Sequence, residues 1–295
     1  MLIPKVDGEW WTISGNPDLG NYTNGEQVPV DFGIWQAADG MWQLWSCINH
    51  TKCSGERRLF YRWQSEAIEN VDWQPMGIAM MADSAYGERA GGLQSPYVIK
   101  HNDKYYMFYG TWDYISLAMS DEGKTFERHR DEDGYSRVVA EKNASNIRDP
   151  MVLKVQDTFY MYYTAVIADK AAIYCRTSSA LHQWGPSTIV SSGGVPGNGS
   201  SSADSPFVLH KDSRYFLYRT HLAGGSEKFM VSLYVSPDPL NFGVNNRDKF
   251  LCSFPFEAPE IVHQRGQHYI ATMLPGLDGT RIARLKFDHV SELAK

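Results

Sequence analysis

Leu93-Gln94-Ser95-Pro96-Tyr97-Val98-Ile99-Lys100 returns without a gap as Ile147-Arg148-Asp149-Pro150-Met151-Val152-Leu153-Lys154. It returns again as Ala203-Asp204-Ser205-Pro206-Phe207-Val208-Leu209-His210 and as Phe256-Glu257-Ala258-Pro259-Glu260-Ile261-Val262-His263. Nine residues beyond each proline a second apolar run begins, at Tyr105, Phe159, Tyr215 and His268. Polar turn residues separate the two runs (101–104, 155–158, 211–214 and 264–267), so each copy reads as a β-hairpin. A fainter third strand follows over 115–126, 172–184 and 231–242. An earlier copy has Met41-Trp42-Gln43-Leu44-Trp45-Ser46 as its second strand and Ala37–Gly40 as its turn, which puts Phe32 at the proline position.

Prolines 96, 150, 206 and 259 stand 54, 56 and 53 residues apart. A strand unit of this period cannot bury both of its faces alone and stacks radially on its neighbours. No stretch carries a 3.6-residue apolar period, so little α-helix is expected. The expectation is therefore an all-β chain, a five-bladed β-propeller forming a single domain over 1–295, with blades beginning near residues 31, 94, 148, 204 and 257. A β-sandwich would not need five hairpins in one register.

In a propeller the first strand of each blade runs along the central axis, so the residues that open it line the channel or the pocket at its mouth. Immediately before the proline position the five units carry Asp31, Ser95, Asp149, Ser205 and Ala258. One residue earlier they carry Val30, Gln94, Arg148, Asp204 and Glu257. Asp31, Asp149, Asp204 and Glu257, far apart in sequence, should thus converge on one axis. Glycoside hydrolysis needs such a set, because an oxocarbenium-like transition state takes one carboxyl as acid on the leaving oxygen and another as base or nucleophile. Crowded carboxyls also raise one another's pKa and keep the acid protonated near neutrality. The plainer alternative is that these acids bond backbone amides at strand starts, as Asp does at turns.

At these residues the chain resembles the five-bladed propeller glycosidases of glycoside hydrolase families 43, 32 and 68, over about residues 31–288. In those families an Asp opening blade one is base or nucleophile, an Asp in an Arg-Asp-Pro motif opens blade three, and a Glu opening blade four is the acid. The resemblance assigns Asp31 and the Arg148-Asp149-Pro150 motif to the first two roles. For the acid two candidates stand: Asp204 by blade count, and Glu257 in Glu257-Ala258-Pro259 by residue type. The resemblance implies a hydrolase of furanosides or pentose-containing glycans, of the arabinan or xylan type. It favours fructan less, because Asp31 is followed by Phe32-Gly33 rather than by the fructan motif. A sugar-binding propeller without turnover, and a transglycosidase or phosphorylase on the same scaffold, are the alternatives.

Expected substrate contacts are Arg148, Gln94, Ser95 and Ser205 from the repeat, with Trp112, Asp113, Arg219 and His221 from the ends of second strands. No metal ligands or cofactor are expected. The resemblance allows a central-channel ion such as calcium, for which His263 or His268 would be the mark.

The net charge of −6 and pI near 5.8 go with a neutral partner such as an oligo- or polysaccharide, not nucleic acid, whose phosphates are held by clustered Lys and Arg. The 13% aromatic content suits strands and sugar-binding surfaces alike. No run approaches a membrane span and none reads as a secretory leader, so a soluble, cytoplasmic chain is expected, with a secreted mature form left open. Cys47, Cys53, Cys175 and Cys252 form no CxxC pair and read as buried thiols; only Cys47 and Cys53 are near each other, and a bridge between them would require an oxidising compartment. Asp31-Phe32-Gly33 spells a kinase magnesium motif without its companions and is set aside as coincidence. Gly193–Ser200 reads as an interblade loop over the pocket, and Ser120–Phe126 as a single incomplete Asp-box.

Overall fold

The structure is a computed structural model, described here over residues 2–222 and 228–289. Its strands form five sheets, each an antiparallel run outward from an inner strand. Blade 1 comprises Val28–Gln36, Trp42–Asn49, Leu59–Ser65 and Gln74–Met80. Blade 2 comprises Gln94–His101, Lys104–Gly110 and Ile115–Ser120, with Glu127–Arg128 and Arg137–Val139 both paired to the third strand. Blade 3 comprises Ala144–Val155, Thr158–Ile167, Lys170–Ser178 and Thr188–Ser191. Blade 4 comprises Asp204–Lys211, Arg214–Leu222, Phe229–Ser236 and Phe250–Phe254. Among the described residues the only helical pieces are two 3-10 turns, at Gly20–Tyr22 and Ser84–Tyr86.

Blade 5 is assembled from both ends of the chain. Glu260–Gln264, Gln267–Met273 and Gly279–His289 supply three strands, and Leu2–Gly15 pairs antiparallel with Gly279–His289 as the fourth. The repeat does not show this closure, because the N-terminal strand belongs to no hairpin of its own. It ties the first residues to the last blade and leaves no gap between blades 5 and 1.

The hairpin turns follow from their residues. Asn102 and Asp103 (φ 49° and 58°), and Asp212 and Ser213 (φ 48° and 59°), are left-handed pairs of the kind a two-residue turn between twisted strands requires. Large apolar side chains fill the wedges between blades. Trp35 and Trp45 of blade 1 pack edge-on against Phe126 of blade 2, and Trp35 Nε1 donates to the Gly123 carbonyl at 2.8 Å. The Asp-box-like stretch is thus a strut between blades.

A shared irregularity shapes the inner strands. In blades 2, 3 and 4 the register slips by one residue between Gln94 and Tyr97, Arg148 and Met151, and Asp204 and Phe207. The residue before the proline lies in each bulge with positive φ (Ser95 46°, Asp149 56°, Ser205 39°), and Ala258 of blade 5 matches at 46°. A bulge re-aims a side chain while the strand continues. Here it sends the pre-proline side chain toward the axis and the one before it toward the mouth.

Candidate active site

Two cavities share the axis. A narrow one of about 30 Å³, room for roughly one water, is lined by all five pre-proline residues, Asp31, Ser95, Asp149, Ser205 and Ala258, and by Glu260. Above it opens a pocket of about 270 Å³ lined by Val30, Gln94, Arg148, Asp204 and Glu257, the preceding residue of each blade. Asp31, Ser205 and Ala258 border both. The sequence register therefore separates pocket wall from pocket floor.

At the floor Asp149, only 5% exposed, is held from two sides. Ser95 Oγ donates to its Oδ1 at 2.5 Å and the Ser205 amide to its Oδ2 at 3.1 Å. Ser205 Oγ also donates to Asp31 Oδ1 at 3.3 Å, so one residue of blade 4 links the carboxyls of blades 1 and 3. Arg148 Nε stands 3.0 Å from Asp204 and 3.3 Å from Asp149.

Burial first, and the Asp204 charge second, push the Asp149 carboxyl well above the usual range, so it keeps its proton. For Asp204 burial works upward as well, but the Arg148 guanidinium and hydrogen bonds from its neighbours bring it below its ordinary value. Asp204 is therefore an ionised, neutralised group. Asp31 is raised by burial and by Asp204, with Arg58 and Arg148 acting the other way. Glu257 is pushed up to about 7, by burial and then by the charges of Asp31 and Asp204. No cation offsets that rise, which separates Glu257 from Asp204.

Trp112 lines the pocket with φ 76°, a strained conformation for a bulky residue, fixed by the Ile147 amide donating to its carbonyl at 3.0 Å. The guanidiniums of Arg58 and Arg89 lie 5.3 and 5.9 Å from its ring centre. Gln94, 1% exposed, lines the same wall, and its Oε1 has no hydrogen-bond partner. Five lining residues were not foreseen: Arg58, Asn146, Thr220, Phe229 and Leu277. Arg58 stands one residue before a third strand, where the repeat is too faint to carry a register. Thr220 accepts the Ala258 amide at 3.0 Å and ties blade 4 to blade 5.

Three expected contacts lie elsewhere. Arg219 is fully buried between blades 3 and 4, donating to Ser191 Oγ at 2.8 Å and to the Gly193 carbonyl at 2.7 Å. Its strand runs on to Leu222, so Arg219 occupies the position of Tyr109 and Tyr163, both core residues. His221 is 5% exposed and bonded to Ser232 Oγ at 3.0 Å, within the same sheet. Asp113 points outward and pairs with Arg89 at 2.7 Å. The glycine-rich 193–200 stretch joins blades 3 and 4 but supplies no residue to the pocket wall. All four cysteines are free, including Cys47 and Cys53. His263 and His268 lie side by side at the far turn of their hairpin, their rings tilted by 54° with centres 4.7 Å apart, and neither lines the axial cavity. The axial residues do not fit a central ion: both oxygens of Asp149 are already engaged, and no group of three potential ligands is disposed around a metal among the described residues.

The fold has many solved counterparts. A thermostable family-43 glycoside hydrolase superposes with a TM-score of 0.63 at 18% identity, covering 90% of this chain and 92% of its own. An endo-arabinase from Bacteroides thetaiotaomicron gives 0.67 at 14% identity, covering 93% and 98%. A Bombyx mori family 32 β-fructofuranosidase gives 0.62 at 14% identity, and there the chain covers 90% of itself but 63% of the other. A comparison with curated proteins finds no match. The sequence profile of the glycosyl hydrolases family 32 N-terminal domain matches residues 33–250, a span that holds Asp149 and Asp204 and leaves Asp31 and Glu257 just outside. With that profile covering most of the chain, this five-bladed propeller belongs to the glycosyl hydrolases family 32 N-terminal domain family.

Proposed function

We propose that the chain hydrolyses the glycosidic bonds of a furanoside or pentose-containing glycan, of the arabinan or xylan type ahead of fructan. The observation that carries this reading is the pairing of Asp31 with Glu257 in one pocket, the second pushed up to about 7 and so protonated where a general acid must be. Glu257 donates its proton to the leaving oxygen. Asp31, its charge balanced by Arg58 and Arg148, attacks the anomeric carbon or draws a proton from water. Arg148 orients the sugar from the pocket wall, above the protonated Asp149 of the floor. Asp204, already neutralised by Arg148, holds that arginine in place instead of acting as the donor. Trp112 and Gln94 form the facing wall. The arabinanases and xylanase among the solved counterparts agree with a pentose substrate, and the absent fructan motif points the same way.

Activity on aryl arabinofuranosides, xylosides and fructans, beside the Asp31→Asn and Glu257→Gln variants, tests the assignment. Turnover lost in both variants is the expected result. A second reading, a propeller that binds sugar without cleaving it, draws on the blade-four carboxyl being tied up by Arg148. Sugar binding with no turnover by the unaltered chain would replace the enzyme reading with that one.

A further inference from the structure

The pocket wall carries a guanidinium, Arg58, that the hydrolytic roles use only as a charge near Asp31. Arg148 is paired with Asp149 and Asp204, and Arg89 with Glu56 and Asp113. Arg58 makes no salt bridge among the described residues: its side chain meets the Cys47 thiol at 3.8 Å and the Trp112 ring at 5.3 Å, and it acts on Asp31 only as a nearby charge that favours the ionised carboxyl. Its Nε is buried without a hydrogen bond. Cys47 cannot answer that charge, because burial first of all pushes its thiol up to about 12 and keeps it neutral. A guanidinium presents a planar fork of donors matched to an oxyanion, and half-burial strengthens what it binds. Gln94 and Asn146 line the same pocket, each with a buried side-chain oxygen that has no hydrogen-bond partner; as acceptors these suit the hydroxyls of a sugar, which leaves the oxyanion to the Arg58 fork.

We propose that Arg58, stacked on Trp112, forms an oxyanion subsite within the pocket, receiving the carboxylate of an acidic sugar residue or a free inorganic phosphate. The proposal deepens the glycosidase reading by naming a ligand class for the same pocket and rests on that reading for its place in turnover, but not for its test. A neutral glycan would leave the Arg58 fork facing hydroxyls alone; an oxyanion matches it in charge and shape. The guanidinium also selects against cationic sugars, which would meet it directly.

Calorimetric titration of the full chain with inorganic phosphate, with glucuronate and with neutral arabinose separates the possibilities without requiring turnover. The expected result is binding of at least one oxyanion, weakened by added salt and weakened about tenfold or more in Arg58→Gln, with arabinose binding weakened much less and Arg58→Lys intermediate. Glucuronate alone points to an acidic glycan, and phosphate alone to a free phosphate; either supports the subsite. Failure of both oxyanions to bind the unaltered chain at millimolar concentration overturns it, whatever the variants do. So does an equal loss of arabinose and oxyanion binding in Arg58→Gln. Hydrolysis of neutral glycosides with no oxyanion binding would remove the subsite and leave the enzyme reading standing.

Discussion

Arg148 and Asp204 meet across the boundary of blades 3 and 4 at 3.0 Å, and the same guanidinium nitrogen reaches Asp149 at 3.3 Å. One cation thus sits between two carboxyls that occupy neighbouring places in the repeat. Asp204 stays ionised because of it, while Asp149, more deeply buried, keeps its proton.

Replacing that cation should disturb the pocket more than a surface charge would. Arg148→Gln leaves Asp204 without compensation and should lower unfolding free energy by about 3 kcal/mol, the scale for stripping one partner from a buried pair. It should also raise the Asp204 carboxyl and reduce kcat by about 100-fold or more through loss of sugar orientation. Denaturant titration and steady-state kinetics read the two effects separately. An unchanged melting transition would mean that Asp204 is solvated well enough not to need Arg148.

Glu257 sets a pH dependence whose sign is fixed by its direction of shift. The carboxyl is raised from an ordinary 4.5 to about 7, so the active protonated form is lost as pH rises through about 7, and kcat/KM should fall along that limb. Glu257→Gln removes the donor and should cost about 10²- to 10⁴-fold, with a smaller loss on substrates whose leaving groups need no proton. Stability follows the same proton. Its contribution is fully present below 4.5, the unfolded value, and is lost as pH rises toward 7, so unfolding free energy at this site declines across that window and should not in Glu257→Gln. Kinetic pH profiles with denaturation at the two ends of the window check both statements.

Asp31→Asn keeps the shape of the floor and removes the charge. Activity should fall by about 10³-fold or more, as for the loss of a base or nucleophile. The melting temperature should hold or rise, because burial disfavours the charge that the substitution removes. A parallel loss of activity and folding would assign Asp31 a structural task instead.

The repeat made the inner two strands and the pocket legible because both depend on one short segment. Pro96, Pro150, Pro206 and Pro259 mark the bulge that aims Asp149 at the axis and Arg148, Asp204 and Glu257 at the mouth, so counting back from a proline located both cavities. Fourth strands stayed hidden. They are short, as in Thr188–Ser191, or come from the other end of the chain, as in Leu2–Gly15, and so carry little periodic signal. Arg219 was misplaced for a related reason: residue type suggested a ligand, whereas its offset from the strand start matches the core positions of Tyr109 and Tyr163. Arg58 and Phe229 belong to the pocket through chain segments that the register does not index. The choice between Asp204 and Glu257 could not be made from spacing, since both stand at the same position. It turns on Arg148, whose partner only three-dimensional proximity reveals.

Gly33 gives the fold its sharpest single-residue test. The residue follows Asp31 and Phe32 in what the sequence alone presents as a stray kinase motif, yet its presence has a steric reason. A Cβ placed on Gly33 would lie 2.4 Å from the carbonyl oxygen of Pro96 and 3.2 Å from its carbon. Both atoms are backbone of the neighbouring blade, so neither can swing aside as a side chain would. Blades 1 and 2 approach this closely because Gly33 belongs to the inner strand and Pro96 opens the next one, beside the axial cavity. Gly33→Ala must therefore push the two inner strands apart, at a cost of about 3 kcal/mol, and the displacement would reach Asp31 two residues away. The expected outcome is a lowered melting temperature together with a reduced kcat. Gly25→Ala, where nothing lies within 4 Å of the added carbon, serves as the control and should change neither. Equal stability of the two variants would mean that the inner strands do not pack as closely as Gly33 and Pro96 indicate.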